Sequence, residues 1–219
     1  AHDSNVNEGL GYADQDSAQP GGLAFDPQGY PMAAFTIQGD LLVPDNTEIH
    51  AYMRRFKHPE NYWVNMDGSE NYIPTSVNNT GQQVIDESVD LQVDACGMPV
   101  VSWIGENDVR IAGWDGSAFT GIGTNDEILD SISVPAQNWD KRPVLVIGPS
   151  MEDTEAGHHP AYQHICVIYL HQGATNHYVF KCRKRTLPCE LNCSDGLNND
   201  SDAAFDCNDP DCYGVGECS

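Results

Sequence analysis

Residues 91–103 have the sequence LQVDACGMPVVSW, and this stretch decides the fold of the chain. Its first apolar run ends at Asp94, where a tight turn is predicted, because an Asp side chain can hydrogen-bond its own backbone and Gly97 tolerates a positive φ. Pro99 then opens a continuous apolar run at a position where no ladder donor is required. The stretch therefore predicts a β-strand on each side of a short turn.

The same pattern occurs three times along the chain. Residues 23–35 (LAFDPQGYPMAAF) form the first copy, and residues 138–147 (NWDKRPVLVI) form a degenerate third copy whose proline follows that of the second copy by 44 residues. After the second copy, residues 107–114 alternate between apolar and polar types, and the following Asp115-Gly116 pair is a strong hairpin signal. Each copy is therefore predicted to contain three or four antiparallel strands. The spacing of 44 residues between the second and third prolines matches the length of one propeller blade.

A β-hairpin is predicted near the end of the third copy. The segments 164–170 (HICVIYL) and 177–182 (HYVFKC), rich in β-branched and aromatic residues, flank a turn candidate at residues 173–175. Cys166 and Cys182 are equidistant from Ala174, so they face each other in this register. Opposed Cβ atoms lie about 4.5–5.5 Å apart, which is close to disulfide range. The sequence therefore predicts a Cys166–Cys182 disulfide.

Residues 94–103 together with 109–117 resemble the blade repeat of secreted bacterial β-propellers, including sialidase-like ones, and residues 164–170 with 178–180 resemble inner strands of such blades. The resemblance implies an all-β fold of three propeller-blade-like antiparallel repeats. Known propellers close with roughly four to eight blades, so three repeats predict either an incomplete propeller or a sandwich.

The predicted domain organisation has three parts. An N-terminal arm precedes the β-repeat domain, and a small disulfide-rich acidic module follows it. The arm spans residues 1–20, the β-repeat domain spans residues 21–185 (about 21–88, 89–131 and 132–185), and the C-terminal module spans residues 186–219.

The C-terminal module has an unusual composition, because residues 189–219 contain eight carboxylates and five cysteines but no Lys, Arg or His. It resembles an Asp/Asn-rich, Cys-bracketed repeat of bacterial secreted and surface proteins, which implies a Ca²⁺ site. Ca²⁺ takes six to eight oxygen ligands, which Asp and Asn supply. The alternative is an acidic disulfide knot that stays solvated. The predicted ligands are Asp195, Asn198, Asp200, Asp202 and Asp206, with Asp209 and Asp211 as a second group.

The eight cysteines predict an oxidising, extracellular compartment, since they form an even set at short spacings without the C-x-x-C pairs of zinc ribbons. Cys96 is expected either to pair with the C-terminal module or to remain free. Pairing among the module's own cysteines, Cys189, Cys193, Cys207, Cys212 and Cys218, stays open. Sequons that fit a secreted glycoprotein occur at Asn78, Asn192 and Asn199.

The charge balance bears on possible partners. Ten basic and 33 acidic residues give a net charge of −23, which argues against nucleic-acid binding because that affinity comes mainly from Lys and Arg. No apolar run approaches the roughly 18–20 residues of a membrane-spanning helix, so no transmembrane segment is predicted.

The first functional hypothesis is a secreted, non-enzymatic structural protein of the cell surface. Three repeats are too few to close into a ring, so they are expected to leave strand edges with unpaired backbone N–H and C=O groups. Such edges favour pairing with a strand of another chain. The arm, in which Val6, Leu10 and Tyr12 share one alternation, is a candidate for reaching a neighbour. The sequence therefore predicts a self-assembling homo-oligomer that forms a filament or a surface layer. The filament would be helical if successive head-to-tail contacts do not close into a ring.

Two alternatives come from other functional classes. A carbohydrate-binding lectin or adhesin module needs exposed aromatic side chains that bind glycans, and the four tryptophans are candidates, although core packing accounts for them better. A glycoside hydrolase needs two converging carboxylates, for which Asp108, Asp115 and Asp126 are available. The tryptophans are Trp63, Trp103, Trp114 and Trp139.

Overall fold

The computed structural model describes residues 19–38, 49–69, 75–77, 84–105, 108–122, 128–131, 143–152, 161–171, 177–187 and residue 189. The regular secondary structure of these residues consists of β-strands in three antiparallel sheets, so the predicted all-β class is confirmed. Within the same residues there is no helix of the length and apolarity needed to cross a membrane.

The three sheets follow one another along the chain. Sheet I contains β1 (Gln19–Phe25), β2 (Pro31–Gln38), β3 (Ile49–Lys57), β4 (Tyr62–Val64) and β5 (Thr75–Ser76). Sheet II contains β6 (Val84–Val93), β7 (Pro99–Gly105), β8 (Asp108–Trp114), β9 (Phe119–Gly121) and β10 (Ile128–Ser131). Sheet III contains β11 (Val144–Ile147), β12 (Met151–Glu152), β13 (Ala161–His171) and β14 (His177–Thr186).

The sheets repeat one antiparallel connection pattern. The strand that follows the repeat's proline pairs with the next long strand, as β2 pairs with β3, β7 with β8, and β11 with β13. That long strand also pairs with the strand after it, as β3 does with β4, β8 with β9, and β13 with β14. In sheets I and II the strand before the turn completes the unit, because β1 pairs with β2 and β6 with β7.

The Asp-x-x-Gly turns form as predicted in the first two copies. The Asp26 N–H donates to Tyr30 O (2.9 Å), and the Asp94 N–H donates to Met98 O (2.9 Å). Gly29 and Gly97 have φ angles of 85° and 76°, which favour glycine. The corresponding turn of the third copy lies outside the described residues.

A further turn of this kind joins β4 to the segment before β5. The Asn65 N–H donates to Ser69 O (3.0 Å) and the Gly68 N–H donates to Asn65 O (2.9 Å), which is the same hydrogen-bond pattern. Sequence reasoning missed it because Asn replaces Asp and no proline-led apolar strand follows. Asn serves equally well, since its side chain also hydrogen-bonds nearby backbone.

Sheet II lies between the other two sheets and is buried on both faces. Alternate residues of β7 point in opposite directions, so Val101 and Trp103 face sheet I whereas Val100 and Ile104 face sheet III. The core between sheets I and II also contains Met53 from β3. Trp103 is fully buried and Trp114 nearly so, which confirms core packing for these two tryptophans.

Sheets I and II approach closely at Gly22 of β1. A Cβ atom placed on Gly22 would lie 2.4 Å from the backbone nitrogen of Leu91 in β6, so any larger residue would separate the two strands. The two Asp-x-x-Gly turns also lie side by side, since a Cβ on Gly97 would lie 2.6 Å from the Pro27 ring.

Polar contacts join sheet III to sheet II. The Leu145 N–H donates to Asp90 Oδ2 (2.8 Å), and the Ala95 N–H donates to Gln163 Oε1 (3.0 Å). Arg183 Nη2 donates to the Ile128 carbonyl oxygen (2.8 Å). Sheet III is therefore fixed on sheet II by directed bonds as well as by apolar packing.

The predicted hairpin and its disulfide are both confirmed. β13 and β14 pair with Cys166 opposite Cys182, and the two residues form a disulfide. Cys96 pairs with Cys189, the first cysteine of the predicted C-terminal module, so the alternative of a free Cys96 is excluded. The four cysteines of the described residues thus form two disulfides.

Some sequence-based expectations stay predictions. Face-to-face stacking occurs both in β-sandwiches and between propeller blades, so the propeller-like character of the repeats stays a prediction. The domain boundaries stay predictions too. β1 starts two residues inside the predicted arm, and β6 starts at Val84, within the range predicted for the first repeat.

Candidate interaction surface

Sheet III has one buried face and one outward face. Ile165, Val167 and Tyr169 of β13 point into the core shared with sheet II. Successive side chains of a strand point to opposite sides of its sheet, so Cys166 and Ile168 point away from sheet II. Strand alternation thereby defines an outward face of sheet III.

The pairing register assembles this outward face from three strands. Val144, Ile168 and Phe180 lie in one cross-strand row, because β13 pairs with β11 on one side and β14 on the other. The next row contains Val146 and the Cys166–Cys182 disulfide. Because directly opposed side chains are close neighbours, these rows form a continuous apolar band.

The band is exposed to solvent. The large hydrophobic residues exposed on this face are between 36% and 78% exposed, and Tyr178 and Phe180 are the most exposed of them. They come from β11, β12 and β14: Val144, Val146, Met151, Tyr178 and Phe180.

One end of the face carries polar and aromatic groups. Lys184 Nζ lies 3.9 Å from the centroid of the Tyr162 ring, which is cation–π range, and His164 meets the same ring edge-on at 5.6 Å. No Asp or Glu occupies an outward position in β11, β13 or β14. The absence of carboxylates from these positions contrasts with the chain's net charge of −23.

Sheet I has an outward face at the opposite side of the stack. Ala24 and Met32 pack in the core with sheet II, so their neighbours Leu23 and Phe25 point outward. Leu23 is 62% exposed and Phe25 is 58% exposed. Farther along the same face, Phe35 is buried in a small cluster with Ile37 and Tyr52.

The two outward faces together account for every exposed large hydrophobic residue in the described part of the chain. Five lie on sheet III and two on sheet I, and none lies on sheet II. A grouped exposed apolar surface marks an interaction site, whereas scattered single residues do not. The exposed hydrophobic side chains lie on sheet faces, and the strands that carry them, β1, β11, β12 and β14, are edge strands of the described sheets. The pairing of these edges with another chain stays a prediction.

A buried ion pair lies at the opposite side of sheet III. Arg185 Nη2 is 3.2 Å from Asp94 Oδ2 and donates to the Trp114 carbonyl oxygen at 2.9 Å. Burial raises the pKa of Asp94 above its usual value, against the opposing attraction of Arg185 and the backbone N–H groups of Met98 and Cys96. Burial likewise lowers the pKa of Arg185. The pair joins sheet III to the Asp94 turn, and we assign it a structural role.

Two of the three carboxylates considered for hydrolysis have structural contacts. Asp108 makes a two-point contact with Arg110, at 2.7 and 2.8 Å. Asp115 Oδ1 accepts hydrogen bonds from the backbone N–H groups of Ser117 and Ala118, both at 2.8 Å, as the predicted turn requires. Asp108 and Asp115 stand at opposite ends of β8, and Asp126 lies outside the described residues.

The predicted metal ligands and glycosylation sites lie outside the described residues, as do four of the cysteines. Elsewhere, no group of three or more His, Cys, Asp or Glu residues that could hold a metal ion occurs in the described part of the chain. The Ca²⁺ site therefore stays a prediction. The residues concerned are Asp195, Asn198, Asp200, Asp202, Asp206, Asp209 and Asp211; Asn78, Asn192 and Asn199; and Cys193, Cys207, Cys212 and Cys218.

The outward faces of sheets I and III are the parts of the described surface that are suited to contact with a partner. The sheet III face offers exposed aromatic and aliphatic side chains for contact with another apolar surface, with Lys184 and His164 at one end. Comparison with known proteins adds no functional assignment, because no protein-family model and no curated protein sequence matches this chain.

Proposed function

We propose that this chain is a secreted structural subunit whose copies associate with one another in an extracellular filament or surface layer. The observation that carries the proposal is that the exposed large hydrophobic residues of the described ranges all lie on the two outward faces of the sheet stack. A solvent-exposed apolar sheet face loses unfavourable contact with water when another sheet covers it. The disulfides support an oxidising compartment for this assembly.

The size of the sheet III face supports a protein partner. β13 and β14 have eleven and ten residues and together cover about 36 Å by about 10 Å, and the four residues of β11 add about 14 Å by about 5 Å, or roughly 430 Å² in total. Each partner in a standard protein interface contributes about 800 Å². The face therefore supplies more than half of such an interface before flanking loops are counted.

Charge supports a second copy of this chain as the partner. A net charge of −23 makes two copies repel, and repulsion is weakest where neither surface has carboxylates. The outward positions of β11, β13 and β14 meet that condition. The charge distribution thus directs association to the same face that carries the exposed hydrophobic side chains.

The molecular mass in solution tests the proposal. We expect light scattering after size exclusion to give a mass above 24.0 kDa that rises with protein concentration, with Ca²⁺ present. The Phe180→Glu variant should remain monomeric, whereas Thr120→Glu adds the same charge at an exposed position of sheet II and should associate as the wild type does. A wild-type chain that stays monomeric at every concentration would contradict the proposal.

Glycan binding is the second candidate function, and it is supported by Tyr178 and Phe180. Both aromatic side chains are more than half exposed and lie on the same face of one strand, which is a suitable platform for sugar rings. On a glycan array, Tyr178→Ala should abolish binding while Val144→Thr retains it. Self-association should instead weaken in both variants, since Val144 belongs to the same apolar band.

A further inference from the structure

We infer that the outward face of sheet III in one copy packs against the outward face of sheet I in a second copy. This head-to-tail contact rests on the proposed function and adds to it which two surfaces meet. Sheet-on-sheet packing already joins sheets I, II and III within one chain. The contact would extend this stacking to a second copy at the open end of the sheet I face, around Leu23 and Phe25. Elsewhere on that face, Phe35, Ile37 and Tyr52 are already buried within the chain.

Coverage of the exposed hydrophobic residues favours this arrangement. A two-fold contact between two sheet III faces would cover Phe180 and its neighbours but leave Leu23 and Phe25 exposed on both copies. A sheet III face on a sheet I face covers both sets with one kind of contact. Because burial of apolar area is the main favourable term in association, the contact that buries both sets is preferred.

Charge favours the same choice. Lys184 is the one Lys, Arg, Asp or Glu at an outward position of β11, β13 and β14. A two-fold contact would bring the Lys184 side chains of two copies onto one interface, where like charges are unfavourable. The exposed residues of the sheet I face, Leu23 and Phe25, are uncharged, and the cation in their neighbourhood, Arg54 in the row of Leu23, is buried.

The position of the two faces determines how the assembly grows. They lie on opposite sides of the stack, so a copy bound through sheet III keeps Leu23 and Phe25 of its sheet I face accessible for another copy. Contacts of this heterologous type build open fibres, or rings when the rotation between copies closes. The geometry therefore accounts for an assembly of more than two copies from a single kind of contact.

Two variants that each block one face distinguish this contact from the two-fold alternative. Phe25→Glu blocks the sheet I face and Phe180→Glu blocks the sheet III face. Gln92→Glu and Thr120→Glu, at exposed positions of sheet II, add the same charge as controls. Thermal unfolding and near-ultraviolet circular dichroism establish that each variant folds, and Phe25→Ser and Phe180→Ser provide milder versions of the same changes.

Sedimentation velocity then measures each variant alone and in a 1:1 mixture. We expect self-association at least tenfold weaker for each face variant alone, and a species of twice the 24.0 kDa chain mass in the mixture, because each variant retains the face that the other lacks. The two controls should match the wild type.

Two outcomes would overturn the inference but leave the proposed function intact. One is a Phe25→Glu chain that associates as strongly as the wild type, since the sheet I face would then be dispensable. The other is a mixture that stays monomeric although the wild type assembles. A monomeric wild type would instead refute the proposed function, and the inference with it.

Discussion

Sheets II and III share the same strand chemistry but differ in what covers them. Both faces of β7 are buried, because sheet I packs on one and sheet III on the other. β13 is apolar on both faces as well, yet its outward neighbours Val144, Val146 and Phe180 are exposed. A strand that is apolar on both faces therefore requires cover on both. Within the described residues, the outward face of sheet III lacks that cover at Val144, Val146 and Phe180.

The two disulfides can also be compared, because one joins two sheets and the other lies within a single sheet. Their removal gives the largest expected change in stability. Cys96–Cys189 links the turn of sheet II to the end of sheet III over a separation of 93 residues, whereas Cys166–Cys182 lies within one hairpin over a separation of 16. In the chain-entropy description, loops of these lengths correspond to about 4.6 and about 3.1 kcal/mol. The double change Cys96→Ser and Cys189→Ser should therefore destabilise the chain by about 1.5 kcal/mol more than Cys166→Ser with Cys182→Ser.

Urea unfolding of the two double variants measures this difference. The hairpin variant is the matched control, since it also removes one disulfide and two cysteines. Equal losses of stability would contradict a role for Cys96–Cys189 in holding sheet III on sheet II.

Substitutions of two aromatic residues compare the buried core with the outward face of sheet III. Trp103 is fully buried between sheets I and II, whereas Phe180 is 61% exposed on the outward face of sheet III. Trp103→Ala should lower the unfolding free energy by about 3–5 kcal/mol, because it leaves a large cavity. Phe180→Ala should change it by no more than about 0.5 kcal/mol.

Both values apply to unfolding in urea at a concentration where the chain is monomeric. Above that concentration, Phe180→Ala should weaken association, while the main effect of Trp103→Ala remains on folding. A large loss of stability for monomeric Phe180→Ala would show that this side chain belongs to the protein's own core.

Local patterns in the sequence predicted much of the fold. The Asp94 turn, the strand opened by Pro99 and the Cys166–Cys182 register all follow from interactions within about twenty residues. Turn geometry, strand alternation and hairpin symmetry act over this range, so they are visible in the sequence.

The surface was harder to predict than the strands. Val144, Leu145 and Val146 are all apolar, so alternation gives no sign of which residue faces the core. That depends on the position of sheet II, which is a tertiary property. The buried Asp94–Arg185 pair was missed for the same reason, because residues 91 positions apart in the sequence meet only through sheet stacking.

Gly22 provides the next test, because it allows sheets I and II to approach closely. A Cβ on Gly22 would lie within 2.4–2.9 Å of backbone and side-chain atoms of Leu91, so Gly22→Ala should cost about 1–3 kcal/mol. Gly148→Ala is the matched control, since its Cβ would lie 3.4 Å or more from its neighbours in His164. Thermal unfolding of both variants measures the difference, and a Gly22→Ala chain as stable as Gly148→Ala would contradict close packing of β1 on β6.

The smallest expected effect concerns the pH dependence of two turn aspartates, one buried between sheets and one exposed. The pKa of Asp94 is raised above 3.8 by burial, so its ionisation weakens the folded state. The pKa of Asp115 is lowered by hydrogen bonds from the backbone N–H groups of Ala118 and Ser117.

The two shifts have opposite consequences for stability. As pH rises through 3.8 towards the folded-state pKa of Asp94, the stability of the wild type relative to Asp94→Asn should fall. Ionised Asp115 should stabilise the wild type relative to Asp115→Asn. This stabilisation should be complete above pH 3.8 and should decline as pH falls through the lowered pKa of Asp115. Urea unfolding of the three chains from pH 3 to pH 7 measures both trends, with Asp115→Asn as the exposed counterpart. If the advantage over Asp94→Asn grew with pH, attraction to Arg185 would outweigh burial, and the contact between sheets II and III would be held mainly by its ion pair.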